Sequence, residues 1–252
     1  MSGSRRHRRG QSMQFQGQGL VEYAIIIVLV ALVAILGLLL LSDTATQWLM
    51  QTACEVGGIG CGTSNEQITM DFAEEEALQG WMVGDFLGRD RDFWVEDGRL
   101  HSDPGAFMLY RNYAGRDYTA IAIEPRLETF RPDVNQGFSV AFRAEDINGR
   151  LNGYTFRIYH NVNSGQQAIY FSKVVDGSTI WPALNWSRLP EPFDWRQPGD
   201  VRIEVVGNTF TAYINGQQVM QASDDTFESG QAGLVNMGNS DFSFKGFIID
   251  PH

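Results

Sequence analysis

Cysteine and histidine are scarce, with two and four respectively among the 252 residues. The histidines, His7, His101, His160 and His252, form no HxH or HxxxH pair. Two cysteines with no histidine nearby are too few for a structural zinc site. No serine stands in a G-x-S-x-G turn, which removes the nucleophile of an α/β-hydrolase. No dense Asp/Asn loop of the EF-hand type occurs either. Basic residues are scarce: 19 Lys and Arg stand against 30 Asp and Glu, a net charge of −11. Nucleic acid, whose phosphates need basic patches to neutralise them, is therefore not an expected partner.

The scarcity of positive charge is uneven. Residues 1–19 carry Arg5, Arg6, Arg8 and Arg9 and no acid, whereas beyond Ser42 acids outnumber bases nearly two to one. Between the two lies an uninterrupted apolar run from Leu20 to Leu41. As a helix, about 22 residues span roughly 33 Å, close to the hydrocarbon thickness of a bilayer. The run reads as a transmembrane helix, and the arginines before it place the N-terminus on the cytoplasmic side. A secretory signal peptide also opens on a basic tip. Here the apolar run exceeds the usual h-region of about 7–15 residues, and no clear small-x-small cleavage site follows it.

Glu22 lies just inside this run. An isolated carboxylate in lipid costs a few kcal/mol, so it is either near the interface and snorkelling or it has a partner. Cleavage after Gly17 would expose an α-amine on Gln18, which in a neighbouring subunit could neutralise Glu22. The stretch Gly17, Gln18, Gly19, Leu20, Val21, Glu22, Tyr23 followed by AIIIVLVALVAILG resembles the N-terminus of type IV pilins of the Flp (tight-adherence) class. The resemblance covers residues 17 to about 41. It implies cleavage by a prepilin peptidase between Gly17 and Gln18, and assembly of a homo-oligomeric filament through the helices by pilus assembly machinery, with Glu22 and Tyr23 in assembly. It departs from the class in length, since those pilins end soon after the helix.

The expected organisation is a basic leader (1–17), a transmembrane and assembly helix (18–53), a Gly-rich linker (54–66) and a β domain (67–252). Cys54 and Cys61 lie on the outer side of the membrane in this reading, where oxidising conditions favour a small disulfide loop over two free thiols.

From Gln67 onward the periodicity becomes that of strands. FSVAF (138–142) places Phe138, Val140 and Phe142 on one face. YTFRIYHN (154–161) sets Phe156 and Ile158 opposite Arg157 and Tyr159. Gly207-Asn208 and Asn215-Gly216 are hairpin signals. Roughly a dozen short strands without a convincing long helix predict an antiparallel jelly-roll sandwich. The fold class expected for the whole chain is thus a long N-terminal transmembrane α-helix followed by an all-β jelly roll.

The order of motifs, above all VRIEVVGNTFTAYINGQ followed by DDTFESGQAGL, resembles concanavalin A-like lectin/glucanase domains of the laminin-G-like kind. That fold hosts lectins, hydrolases and inert spacers, so it implies no single activity. Its glucanases carry Glu-x-Asp-x-(x)-Glu along one strand, and no such run exists here. Glu145-Asp146 diverges beside a turn, and Arg202 and Glu204 bring only one acid to their face. Hydrolysis by paired carboxylates is not expected.

Binding is the better expectation. Sugar sites set aromatic platforms beside polar groups. Alternation sends Arg143, Arg157, Tyr159 and Asn161 to the outer face, and the loop WPALNWSRLPEPFDW supplies Trp181, Trp186 and Trp195. These are the candidate carbohydrate-binding residues; core capping is the competing role for the tryptophans. Calcium (Ca2+) is common near the chain ends in this fold family, which makes Asp71 and Asp250 candidate ligands. The expected function is a pilin-like surface subunit displaying the sandwich for adhesion, with surface glycans as candidate ligands. It would begin as a membrane-anchored precursor and end on the cell surface in a pilus. The alternatives are a membrane-anchored, non-polymerising carbohydrate-active or carbohydrate-binding protein, and a filament coat without a ligand.

Overall fold

Short runs of alternating apolar and polar residues, cut by Gly and Asn at left-handed positions, favour strands joined by tight turns. In a computed structural model of the chain, residues 66–85, 92–189, 193–238 and 240–252 are described, and they form an all-β antiparallel sandwich. In chain order the strands are β1 (Ile68–Asp71), β2 (Trp81–Asp85), β3 (Phe93–Glu96), β4 (Arg99–Ser102), β5 (Ala106–Tyr110) and β6 (Tyr118–Ile123). Then come β7 (Arg126–Leu127), β8 (Gln136–Ile147), β9 (Arg150–Asn161), β10 (Gln166–Val175), β11 (Ser178–Thr179) and β12 (Asn185–Arg188). The last are β13 (Val201–Val206), β14 (Thr209–Ile214), β15 (Gln217–Ser223), β16 (Gln231–Gly238), β17 (Phe242–Ser243) and β18 (Gly246–Pro251).

One sheet runs in the order β1-β18-β6-β13-β14-β15. The other runs β11-β10-β9-β8-β16-β5-β2, with β12 also paired to β10. The expected hairpins at Gly207-Asn208 and Asn215-Gly216 join β13 to β14 and β14 to β15. The inner faces meet in an aromatic core. Phe138, Val140, Phe142, Phe156, Ile158 and Phe171 from the larger sheet pack against Val201, Ile203, Phe210 and Phe247 from the smaller. Phe142 lies edge-on to Phe210, ring centroids 4.9 Å apart.

Two of the expectations are corrected here. Among the described residues the helical structure is a single 3-10 turn, Glu75–Leu78, and no helix is long and apolar enough to cross a membrane. Over the described residues the fold class is accordingly an all-β sandwich, with no transmembrane helix among them, as their period-two alternation and turn-forming Gly and Asn dictate. Nothing among the described residues supports the membrane-anchored location built on that helix. Residues 1–65, with Gly17, Gln18, Glu22, Tyr23, Cys54 and Cys61, lie outside the described residues.

Arg143 departs from its expected place. Strict alternation after Phe142 would send it to the outer face. Instead β8 is bulged between Phe142 and Glu145, and Arg143 has φ of 43°. A bulge inserts a residue, bends the strand and re-aims its side chain. Arg143 is buried, at 1% exposure, with its guanidinium against Phe210. Its Nε and Nη2 donate to Arg116 O at 2.9 and 2.7 Å, Nη1 donates to Phe227 O at 3.3 Å, and Nη2 also reaches Gly207 O. Asp117 sits 3.5 Å away and accepts from Gly207 N. The Arg143 backbone N–H donates to Tyr118 Oη on the opposite sheet at 2.6 Å, and Tyr118 in turn donates to Gln231 O. Burial pushes the Tyr118 phenol up, so it remains a donor. Gly153 and Gly230 flank the bulge so closely that a Cβ at either would fall within 3 Å of the Arg143–Ala144 backbone.

Replacing Arg143 by Ala removes a buried guanidinium and leaves the partly buried carbonyls of Arg116, Gly207 and Phe227 without its donors, and is expected to cost about 2–4 kcal/mol of stability. Urea unfolding of the variant measures this. Arg143→Lys should recover less than half of the loss, since an ammonium cannot serve the same spread of carbonyls.

Candidate functional site

The larger sheet carries a row of side chains across its outer face. Strand register aligns Trp186 (β12), Tyr170 (β10), Arg157 (β9), Ser139 (β8), Val235 (β16), Phe107 (β5) and Gly84 (β2). A second row aligns Ser172, Thr155, Ala141, Gly233, Leu109 and Met82. Phe107 fits because Gly84 lacks a Cβ, which would fall 2.3 Å from its ring. Neither row holds a carboxylate.

The middle of this face is buried. Phe107, Leu109, Ala141, Ala144, Leu151, Val174 and Val235 form a second apolar cluster, separate from the core between the sheets. Ser139, Thr155 and Ser172 are fully buried as well. Met82 and Gly84 at the β2 edge are half-buried, and exposure is greatest at the β10 edge. There β11 and β12 each pair with β10, and the loop between them carries Trp181. Ile180 N donates to Lys173 O and Leu184 N to Phe171 O, which ties the loop to the same edge. The peptide bond Trp181-Pro182 is cis.

Trp181 is 65% exposed and leans on Tyr170 with ring centroids 5.7 Å apart. Trp186, 57% exposed, stands directly across the ladder from Tyr170. Tyr159 lies edge-on to Tyr170 at 6.3 Å. The Arg157 guanidinium stacks at 5.0 Å from the Tyr170 ring centroid and donates to its hydroxyl through Nη1. Arg157 also donates to Ser139 Oγ at 3.3 Å and Thr179 Oγ1 at 3.5 Å. Burial lowers the Arg157 pKa from its ordinary value, opposed by Tyr170, but a guanidinium keeps its proton in proteins. Burial raises the Tyr170 and Tyr159 phenols, which keeps both hydroxyls protonated at neutral pH. The corner therefore combines two exposed indoles, two phenols and a fixed cation.

Of the candidate residues, Arg157, Tyr159, Trp181 and Trp186 converge here. Arg143 does not, for the reason given above. Trp195 is corrected to a core residue: it is 2% exposed and stacks on His160 at 5.1 Å with an interplanar angle of 7°. Asn161 lies at the far end of β9, where its Oδ1 accepts from the backbone N–H groups of Asn163 and Ser164 in the turn. Asp71 and Asp250 do not meet. Asp71 pairs with Gly246, and Asp250 lies four positions further along β18, about 13 Å at the usual rise per residue. Among the described residues no group of three or more acidic, His or Cys side chains is placed to hold a metal ion. Tyr170 was missed by sequence reasoning. Its signal was available, since it faces outward by alternation between Ile169 and Phe171.

A second polar cluster links the sheet to the segment after β15. The Asp224 carboxylate accepts from Tyr154 Oη at 2.6 Å, Lys173 Nζ at 2.9 Å and Thr226 N at 2.9 Å. Burial alone would raise the Asp224 pKa, but the hydrogen bonds from Thr226, Tyr154 and Lys173 outweigh it and hold the carboxyl well below its ordinary range. The Tyr154 phenol is pushed up to about 12, chiefly by burial and then by Asp224. The cluster ties β9 and β10 to the segment after β15 and works as a clamp.

No protein-family model matches the chain, and no curated protein does. Solved structures do match. The carbohydrate binding module CBM66 from Bacillus subtilis is 20% identical, with 66% of this chain and 92% of that one covered, at a TM-score of 0.53. A lectin from Bauhinia forficata in complex with GalNAc is 10% identical, covering 73% and 98%, at 0.53. A β-1,3-1,4-glucanase (lichenase) derived from a mouse hindgut metagenome is 14% identical, covering 74% and 99%, at 0.50. At these identities the likeness is one of fold, and the fold is the lectin and glucanase sandwich. It replaces the pilin assignment as the relationship the described residues support.

The depressed Asp224 pKa makes a signed prediction. Its stabilising effect is fully present above the unfolded carboxylate value near about 4 and is lost as pH falls through the lower folded value. Asp224→Asn should therefore destabilise most at neutral pH. The gap to the native chain should narrow below about pH 4 in urea melts.

Proposed function

We propose that the sandwich is a glycan-binding module whose site is the β10–β12 corner. The observation that carries this reading is Trp181, a mostly exposed indole braced on Tyr170 beside the Arg157 guanidinium and opposite Trp186. An indole face held rigidly in water stacks on the apolar C–H face of a sugar ring without paying much ordering entropy. The flanking phenols and Thr179 hydroxyl supply hydrogen-bonding groups for sugar hydroxyls at the rim. Because the centre of the outer face is buried, the ligand meets the sheet at its edge. The lectin and binding-module neighbours agree with this reading as carriers of the same fold.

Hydrolysis is not part of the proposal, although glycosidases share the fold. Two carboxylates must flank the scissile bond, and the two outer-face rows that lead to this corner contain none. The module binds and does not cut.

An array of plant, bacterial and animal glycans, followed by titration against the best ligand with tryptophan fluorescence, tests the reading. Trp181→Ala should weaken binding at least about tenfold, as expected for a central aromatic anchor, with an unchanged urea midpoint. Trp195→Phe should leave affinity intact while lowering stability. No binding to any glycan, or full affinity in the Trp181 variant, would remove the proposal.

A further inference from the structure

The chain contains three Asn-Gly pairs, Asn148-Gly149, Asn152-Gly153 and Asn215-Gly216. The first and last occupy the same structural niche. Each is the two-residue turn of a hairpin, β8 to β9 and β14 to β15, with asparagine φ of 56° and 50° and glycine φ of 78° and 76°. Their backbones are nearly identical, so differences in chemistry must come from the side chains and their surroundings.

Both turns are exposed and both of their glycines face open space, so they differ in how the asparagine side chain is held. Asn215 Nδ2 donates to Pro198 O at 3.0 Å, and Gly199 approaches so closely that a Cβ there would lie 1.9 Å from Asn215 Oδ1. Asn152 is buried, donates to Arg150 O at 3.2 Å and accepts from Asp176 N at 2.8 Å. Asn148 is exposed, its side-chain amide has no hydrogen-bond partner among the described residues, and Gly149 faces open space. The nearest restraint is the ion pair of Arg150 with Asp176 at 2.8 Å, both more than half exposed, which holds the hairpin tip weakly.

We propose that Asn148-Gly149 is a site of spontaneous deamidation in the folded protein. The Gly149 backbone nitrogen, on losing its proton to water or hydroxide, attacks the Asn148 side-chain carbonyl carbon. The new N–Cγ bond closes a succinimide while the Cγ–Nδ2 bond breaks and the amide nitrogen leaves as ammonia. Water then opens the ring at either carbonyl, giving aspartate or isoaspartate. Asparagine and water have become the acid and ammonia, with no oxidant or reductant required. Attack demands a backbone outside the left-handed turn, so the turn must first open, and Asn148 has no side-chain tether to release. The product places a new carboxylate next to Glu145, Asp146 and Asp176. The isoaspartyl form also lengthens the backbone of the turn that sets the β8–β9 register.

The full-length protein is incubated folded at mildly alkaline pH, and in a parallel sample unfolded in urea. Peptide mapping and isoaspartyl methylation follow each Asn-Gly pair. Losing one ordinary hydrogen bond before attack slows a reaction about three- to tenfold, so Asn148 should convert faster than Asn215 by that factor in the folded sample. In urea the two rates should converge. Equal rates in the folded protein, faster conversion at Asn215, or an Asn148 that stays intact when folded yet converts in urea would each overturn the proposal.

Discussion

The sandwich is held at one end by a single guanidinium. Arg143 belongs to β8 of the larger sheet, but the carbonyls it serves belong to Arg116 and Gly207 at the approach and hairpin of the smaller sheet, and to Phe227 in the segment that leads back into β16. Tyr118 completes the bridge by accepting the Arg143 backbone N–H from across the core. Loop ends in a sandwich leave carbonyls that water would otherwise satisfy. Here the donors of one planar, buried group satisfy three of them at once, which suits the fork of an arginine. The bulge, the left-handed φ at Arg143 and the two crowding glycines are what this arrangement demands of the chain.

The same bulge shapes the functional face. Beyond Phe142 the outward positions of β8 shift by one, so Ala144 joins Phe107, Leu109, Leu151, Val174 and Val235 in an apolar cluster on the outer face. A sheet buried on both faces has no room for a ligand at its centre. Polar groups that alternation sends outward there, such as Ser139, Thr155 and Ser172, are consumed by one another and by Arg157. What is left for recognition is the edge, where short strands and a braced loop project indoles into solvent.

Much of the fold was legible from period and turn chemistry. The inward set of β8 and β9 and the hairpins at Gly207-Asn208 and Asn215-Gly216 stand where alternation and turn residues put them. Arg157, Tyr159, Trp181 and Trp186 reach one corner because the alternation of β9 is unbroken and the tryptophan loop runs along the neighbouring edge. Arg143 was misplaced because one inserted residue reverses every later facing, and nothing local in FRAED announces a bulge. Trp195 takes the competing core-capping role; sequence left the choice open because an aromatic loop residue packs inward or outward according to which partner it meets, and His160 and Phe242 are remote in sequence. The apolar run at residues 20–41, the loudest signal of all, lies outside the described residues.

A shared sandwich does not carry a shared activity, and the outer-face ladder explains why. Each strand contributes one residue to each row, so an enzyme and a binding domain differ by which side chains stand at a handful of aligned positions. A glucanase needs two acids facing one bond. In this chain the two aligned rows offer Trp, Tyr, Arg, Ser and aliphatic groups and no carboxylate. The Arg157 cation is itself spent on Tyr170, Ser139 and Thr179, so its main effect is to fix the phenol on which Trp181 rests. Rigidity of the platform, more than charge, is then what this corner offers a ligand.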